Sequence, residues 1–110
     1  MSTVANKDLV GQIREALRIV IDPELGHNIV DLGFVYDITV KDGGVACITM
    51  TTTTPGCPAT GFLKEGVANS AWNVPGVELV NIDLTYDPQW TPEMMSSEAK
   101  ADLGFADGRS

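Results

Sequence analysis

The side chains able to do chemistry concentrate in two stretches. Thr51-Thr52-Thr53-Thr54-Pro55-Gly56-Cys57-Pro58 sets a cysteine behind a run of hydroxyls, and the stretch from Asp22 to Asp31 holds Asp22, Glu24, Asp31 and the lone histidine, His27. In the first stretch the β-branched threonines suit the end of a strand. Pro55-Gly56 is a turn dipeptide, and Pro58 fits the first helical position, where its missing N–H costs nothing. This spacing predicts Cys57 at a helix N-cap. There the unpaired backbone N–H groups and the helix dipole favour negative charge. A thiol so placed ionises more readily than a free one, and the thiolate is both nucleophile and metal ligand. A plainer reading stands beside it: cysteine is small and apolar and is often buried for packing alone.

The second stretch is dense in turn formers. Capping and turn chemistry accounts for its three carboxylates, because Asx side chains bond nearby N–H groups. A Cys–His nucleophile would pair Cys57 with His27, yet no Asn or Asp can be assigned as orienter. Metal or sulfur handling asks for less, namely one soft ligand of low pKa. Four thiolates for an iron–sulfur cluster cannot come from Cys47 and Cys57. A cluster would need a second copy, a partner's ligands or an exogenous thiol. Reach argues against a Cys47–Cys57 disulfide: at about 3.3 Å per strand residue the strand expected to run on to about Thr53 separates the two by roughly 20 Å, against a limit of about 7 Å.

The elements that must position these residues follow from periodicity. Leu9, Val10, Ile13, Ala16, Leu17 and Val20 recur at helical spacing, predicting a helix over 7–20 with Asn6 as N-cap and an end near Ile21, ahead of Pro23. Phe34, Tyr36, Ile38 and Val40 alternate with polar neighbours as a strand, and Val45 to about Thr53 form the next. A three-residue loop between them pairs Val40 with Ala46, Ile38 with Ile48 and Tyr36 with Met50, with Gly44 left-handed. Continued outward, this register sets Asp31 near Pro55. The carboxylates and the cysteine turn then share one end of the sheet, which weakens the capping-only reading of Asp31.

Residues 58–73 read as a second helix, in which Gly66 is expected to pack close to the sheet. Val80, Ile82, Leu84 and Tyr86 mark a third strand, parallel to the second through a right-handed crossover. Residues 87–92 are then expected over the site. A turn at Pro92–Met94 and a helix from Ser97 to Leu103, capped by Ser96 and closed by Gly104, complete the chain. The expected fold is a two-layer α/β (α+β) domain spanning residues 1–110, ordered over about 7–105. Its order is α-β-β-α-β-α, with a three-stranded mixed sheet and helices on one face.

With 110 residues, the chain should bury roughly two-thirds of its unfolded surface. A hydrophobic share of 44% rules out a disordered chain. The net charge of −8, with no basic run, argues against nucleic-acid binding. No segment approaches a membrane span, and the first residues lack a secretory apolar core. A cytoplasmic location is expected.

Taken together, Asp22-Pro23-Glu24-Leu25, Asn28-Ile29-Val30-Asp31-Leu32-Gly33-Phe34-Val35-Tyr36, Thr53-Thr54-Pro55-Gly56-Cys57-Pro58 and Trp90-Thr91-Pro92-Glu93-Met94-Met95-Ser96 stand in order. With this spacing they resemble the SufT/PaaD-like family of metal–sulfur cluster assembly factors, over about residues 7–105. The resemblance implies a non-enzymatic accessory role in maturing iron–sulfur proteins, with transient handling of iron or of a cluster. Its reactive cysteine falls on Cys57, and its acidic and threonine positions on Asp22, Glu24, Asp31, Thr53 and Thr54. His27 matches no hallmark, and Cys47 is particular to this chain. PaaD-type members carry a cysteine-bearing C-terminal extension, and its absence after Ser110 favours the SufT-like branch. Assembly proteins and client apoproteins are the expected partners. Trp90, Met94 and Met95 are candidates to dock them, and the free sheet edges leave a homodimer open. The rival readings are an interaction adaptor in which Cys57 is incidental and, behind it, a thiol-dependent enzyme.

Overall fold

The computed structural model describes residues 4–53, 55–56 and 58–104, with the side chains of residues 4–7 left aside. Helix α1 spans Val4–Leu17 and buries Leu9, Ile13 and Leu17 at helical spacing. It starts before Asn6, so that residue lies inside the helix rather than capping it. Its end tightens into three i→i−3 bonds, at Arg18, Ile19 and Val20, before Pro23 forbids continuation. This turn lands Val20 on helix α2, Thr60–Trp72. A Cβ on Gly66 would come within 3.1 Å of a Val20 methyl. Gly66 thus makes room for the end of α1, not for the sheet as its position had suggested.

Beyond Val20, two short strands, β1 (Ile21–Asp22) and β2 (His27–Asn28), pair antiparallel where the sequence suggested only a loop. The main sheet has the order β3-β4-β5, with β3 Val35–Lys41, β4 Val45–Met50 and β5 Leu79–Leu84. Its first two strands are antiparallel and its last two parallel, as expected from a hairpin followed by a helical crossover. The hairpin register is the one that matches apolar to apolar, with Val40 opposite Ala46 and Ile38 opposite Ile48. Gly44 adopts φ +76°. Tyr36 departs from the expected pairing. A bulge between Val35 and Asp37 leaves Val35, not Tyr36, opposite Met50, and such an extra residue re-aims its side chain.

One face of this sheet carries Ile38, Ala46, Ile48 and Met50, which join Ile13 and Leu17 of α1 and Leu63, Val67 and Ala71 of α2 in the core. Cys47, on the other face, is a half-buried free thiol in line with Thr39 and Asn81. At the hairpin end, the Gly44 carbonyl accepts from both Glu78 N–H and Leu79 N–H.

At the opposite end the chain after β5 folds back across the sheet. A 3₁₀ turn, Pro92–Met94, leads into α3, Ser97–Leu103. The Ser96 hydroxyl caps α3 by accepting from Ala99 N–H at 3.1 Å, and Gly104 ends it at φ +83°. Gly33 makes the closest approach to this returning segment. Its φ is +82°, and a Cβ there would collide with the Met94 carbonyl. Gly33→Ala therefore combines left-handed strain with a backbone clash and should cost more than about 2 kcal/mol. Urea unfolding, monitored through the tryptophans, measures that loss.

Candidate functional site

The three main strands finish together at one end, and the backbone fixes their exits. Thr51 N–H donates to the Phe34 carbonyl at 2.8 Å, and Thr85 N–H donates to the Met50 carbonyl at 2.9 Å. The β4–β5 register pairs Met50 with Leu84. Two residues further on, the same inward rows carry Thr52 and Tyr86, whose hydroxyls meet at 2.8 Å. Thr51 and Thr52 are both fully buried, and Thr53 is half-buried.

The returning segment roofs this end. The Trp90 indole N–H donates to the Leu32 carbonyl at 2.7 Å, and its ring meets Phe34 edge-on at 5.4 Å. The Tyr36 hydroxyl, re-aimed by the bulge, donates to the Pro88 carbonyl at 2.8 Å and lies 3.5 Å from Met94 sulfur. Burial pushes the Tyr36 phenol up, and a hydrogen bond with Thr51 partly opposes this. Residues 87–92, expected over the site, thus pass over the end of the sheet through Pro88 and Trp90. Of the three residues read as a docking patch, Trp90 is half-buried and bonded internally, Met95 is 5% exposed within the core, and Met94 lies between.

The carboxylates are held in two different ways. Asp22, 2% exposed, accepts from Glu24 N–H at 2.7 Å and Leu25 N–H at 2.9 Å. It therefore builds the turn that shapes its own loop. Asp31 follows a tight turn over residues 28–33 rather than an extended continuation of β3. The register extrapolated past Phe34 thus ends there. The Asp31 carboxylate receives Arg18 Nη1 at 3.0 Å and Asn28 Nδ2 at 3.0 Å, and His27 Nε2 stands 3.6 Å away. Burial would raise its pKa, but the Asn28 hydrogen bond, the Arg18 charge and His27 outweigh that and hold it below the ordinary carboxylate value. Arg18 is correspondingly raised by Asp31. The Asp31 carbonyl accepts from Ser96 N–H at 2.7 Å, so one residue ties α1, β2 and the start of α3. Glu24 is exposed on the same loop.

Cys57 and Thr54 lie outside the described residues. Helix α2 begins at Thr60 with Ala59 at its N-cap, and no side chain caps it. The N-cap predicted for Cys57 thus falls two residues later, since Pro58 fits a turn as well as a first helical residue. The first helical bond runs from Leu63 N–H to the Ala59 carbonyl at 2.9 Å. Among the described residues, no group of three or more His, Cys, Asp or Glu could hold a metal ion. Nor, among them, is any helix long and apolar enough to cross a membrane. Sequence reasoning missed Arg18, Thr52 and Tyr86. The alternation already put Thr52 and Tyr86 on their strands, and matching the two inward rows across the parallel pair would have brought their hydroxyls together.

Comparison with known proteins fits this arrangement. A family model described as "Iron-sulfur cluster assembly protein" matches residues 11–84. The chain belongs to this family. Among the family's relatives, a Porphyromonas gingivalis Fe-S protein maturation auxiliary factor is 47% identical over 81% of this chain and 85% of its own length. The Staphylococcus aureus Fe-S protein maturation auxiliary factor SufT is 41% identical over 80% of this chain and all of its own. The crystal structure of a domain of unknown function, DUF59, from Bacillus anthracis superposes with a TM-score of 0.88 at 38% identity, covering 94% of this chain and 98% of that one. In this assembly-family fold the Asp31 hub makes a pH prediction. Its lowered pKa means that its stabilising share is complete above the ordinary carboxylate range and is lost as pH falls through the folded-state value. Asp31→Asn should lose about 1 kcal/mol at neutral pH. It should also lose less on acidification than the wild type, as urea midpoints at about pH 7 and about pH 3 will measure.

Proposed function

We propose that this chain is a non-enzymatic accessory factor in the maturation of iron–sulfur proteins, working with assembly proteins and client apoproteins in the cytoplasm. The observation that carries this reading is family membership over residues 11–84, alongside relatives matched over nearly their whole length. Cys57 is the group that holds or passes cargo, whether iron, sulfide or a transient cluster. A thiolate is the soft ligand such cargo needs, and in the sequence Cys57 comes three residues before Thr60, the first residue of α2.

The neighbouring residues have distinct parts in this reading. Thr52 and Tyr86 anchor the chain where it leaves β4. Asp22 and Asp31 shape the adjoining loop and hold it to α1 and α3. Glu24 is the exposed carboxylate there, and Thr53 and Thr54 bring hydroxyls into the same stretch of sequence as Cys57. Cargo stays transient in this reading because the chain has only two cysteines, too few to ligate a cluster alone, so acceptor ligands on a client can complete the set and draw it away.

Cys57→Ser should fold as the wild type does, yet fail to restore an iron–sulfur client enzyme in cells lacking the natural copy. Cys47→Ser should restore it. Client activity and iron content, measured for both variants, decide the matter, and full rescue by Cys57→Ser overturns the assignment.

A further inference from the structure

The outer edge of β5 is equipped for a second copy of this chain. Thr85 N–H and Leu79 N–H both point at β4. Strand alternation therefore turns the backbone groups of Val80, Ile82 and Leu84 to the open edge. Among the described residues, no hydrogen bond reaches those groups. The strand Leu-Val-Asn-Ile-Asp-Leu carries no proline or lysine, and its register with β4 is unbroken. Natural edges usually carry several devices against pairing, and the one within β5 is the single charge of Asp83. Beside this edge lies an open groove of about 670 Å³, lined by Gly61, Lys64, Glu65 and Ala68 of α2 and by Val80 and Ile82 of β5.

This lining matches itself under a two-fold rotation. Let β5 meet β5 antiparallel about an axis through Asn81. Val80 then faces Ile82, both with outward backbone groups, as a hydrogen-bonded antiparallel pair requires. Asp83 faces Leu79 instead of its own copy. An axis between Lys64 and Glu65 maps Gly61 onto Ala68 and Lys64 onto Glu65. Small residues meet small, and cation meets anion, twice. Such self-complementarity is the signature of an isologous interface. We propose that two copies pair through the outer edges of β5 into a continuous six-stranded sheet, with their α2 helices antiparallel above it and Lys64 of each facing Glu65 of the other.

Sedimentation equilibrium on the full chain tests this, read with amide hydrogen exchange at low and high concentration. A monomer–dimer equilibrium is expected, with Val80 and Ile82 amides slowing as dimer forms. Lys64→Glu sets two glutamates against Glu65 and should weaken association about tenfold. Lys64→Glu combined with Glu65→Lys should restore it. Lys41→Glu, an equal charge change on the hairpin, should leave it within about twofold. Monomer at all concentrations up to about 300 μM overturns the proposal. So does a dimer whose Val80 and Ile82 amides exchange freely, or one that Lys64→Glu and Lys41→Glu weaken equally.

Discussion

Strand β4 is hydrogen-bonded along both edges, and this constraint governs the rest of the molecule. Antiparallel pairing on one side fixes where β3 begins, and parallel pairing on the other fixes where β5 ends. Phe34, Thr51 and Thr85 consequently arrive side by side. A central strand with both edges satisfied is also the hardest part of a sheet to shift, because a slip of one residue would turn Ala46, Ile48 and Met50 out of the core. Thr51 is therefore held by the sheet, and Ala59 by the first turn of α2.

Charge at this end is organised rather than simply accumulated. A net charge of −8 would suggest repelling carboxylates. Asp22 instead spends its charge on the backbone of its own turn, and Asp31 spends its charge on Arg18 and Asn28. Both serve as scaffold, with Glu24 the exposed carboxylate of the set. Arg18 comes from the tightened end of α1, so the geometry of that helix terminus and the electrostatics of the loop depend on each other.

The sequence displayed the sheet more openly than the site. Alternation and turn chemistry carried the register of Val40 with Ala46 and Ile38 with Ile48, the left-handed Gly44, and the Ser96 and Gly104 caps. Local rules failed where a tertiary contact intervened. The bulge at Tyr36 serves a hydrogen bond to Pro88, fifty-two residues away, and local alternation contains no sign of it. Arg18 lies just past the end of α1 and stays exposed, so nothing in the local pattern marks it as the partner of Asp31. Gly66 answers to Val20, across a helix–helix contact that no window along the chain can show. The turn chemistry assigned to Asp22 was correct on local grounds alone.

The direction of β5 has a bearing on the proposed handling of cargo. Because β4 and β5 run parallel, the loops that follow them lie at one pole of the sheet. An assembly joined edge to edge by antiparallel β5 strands would send its two poles to opposite extremities. It would resemble a carrying pole loaded at each end more than a clasp closed over one burden, and each end would remain open to a different recipient.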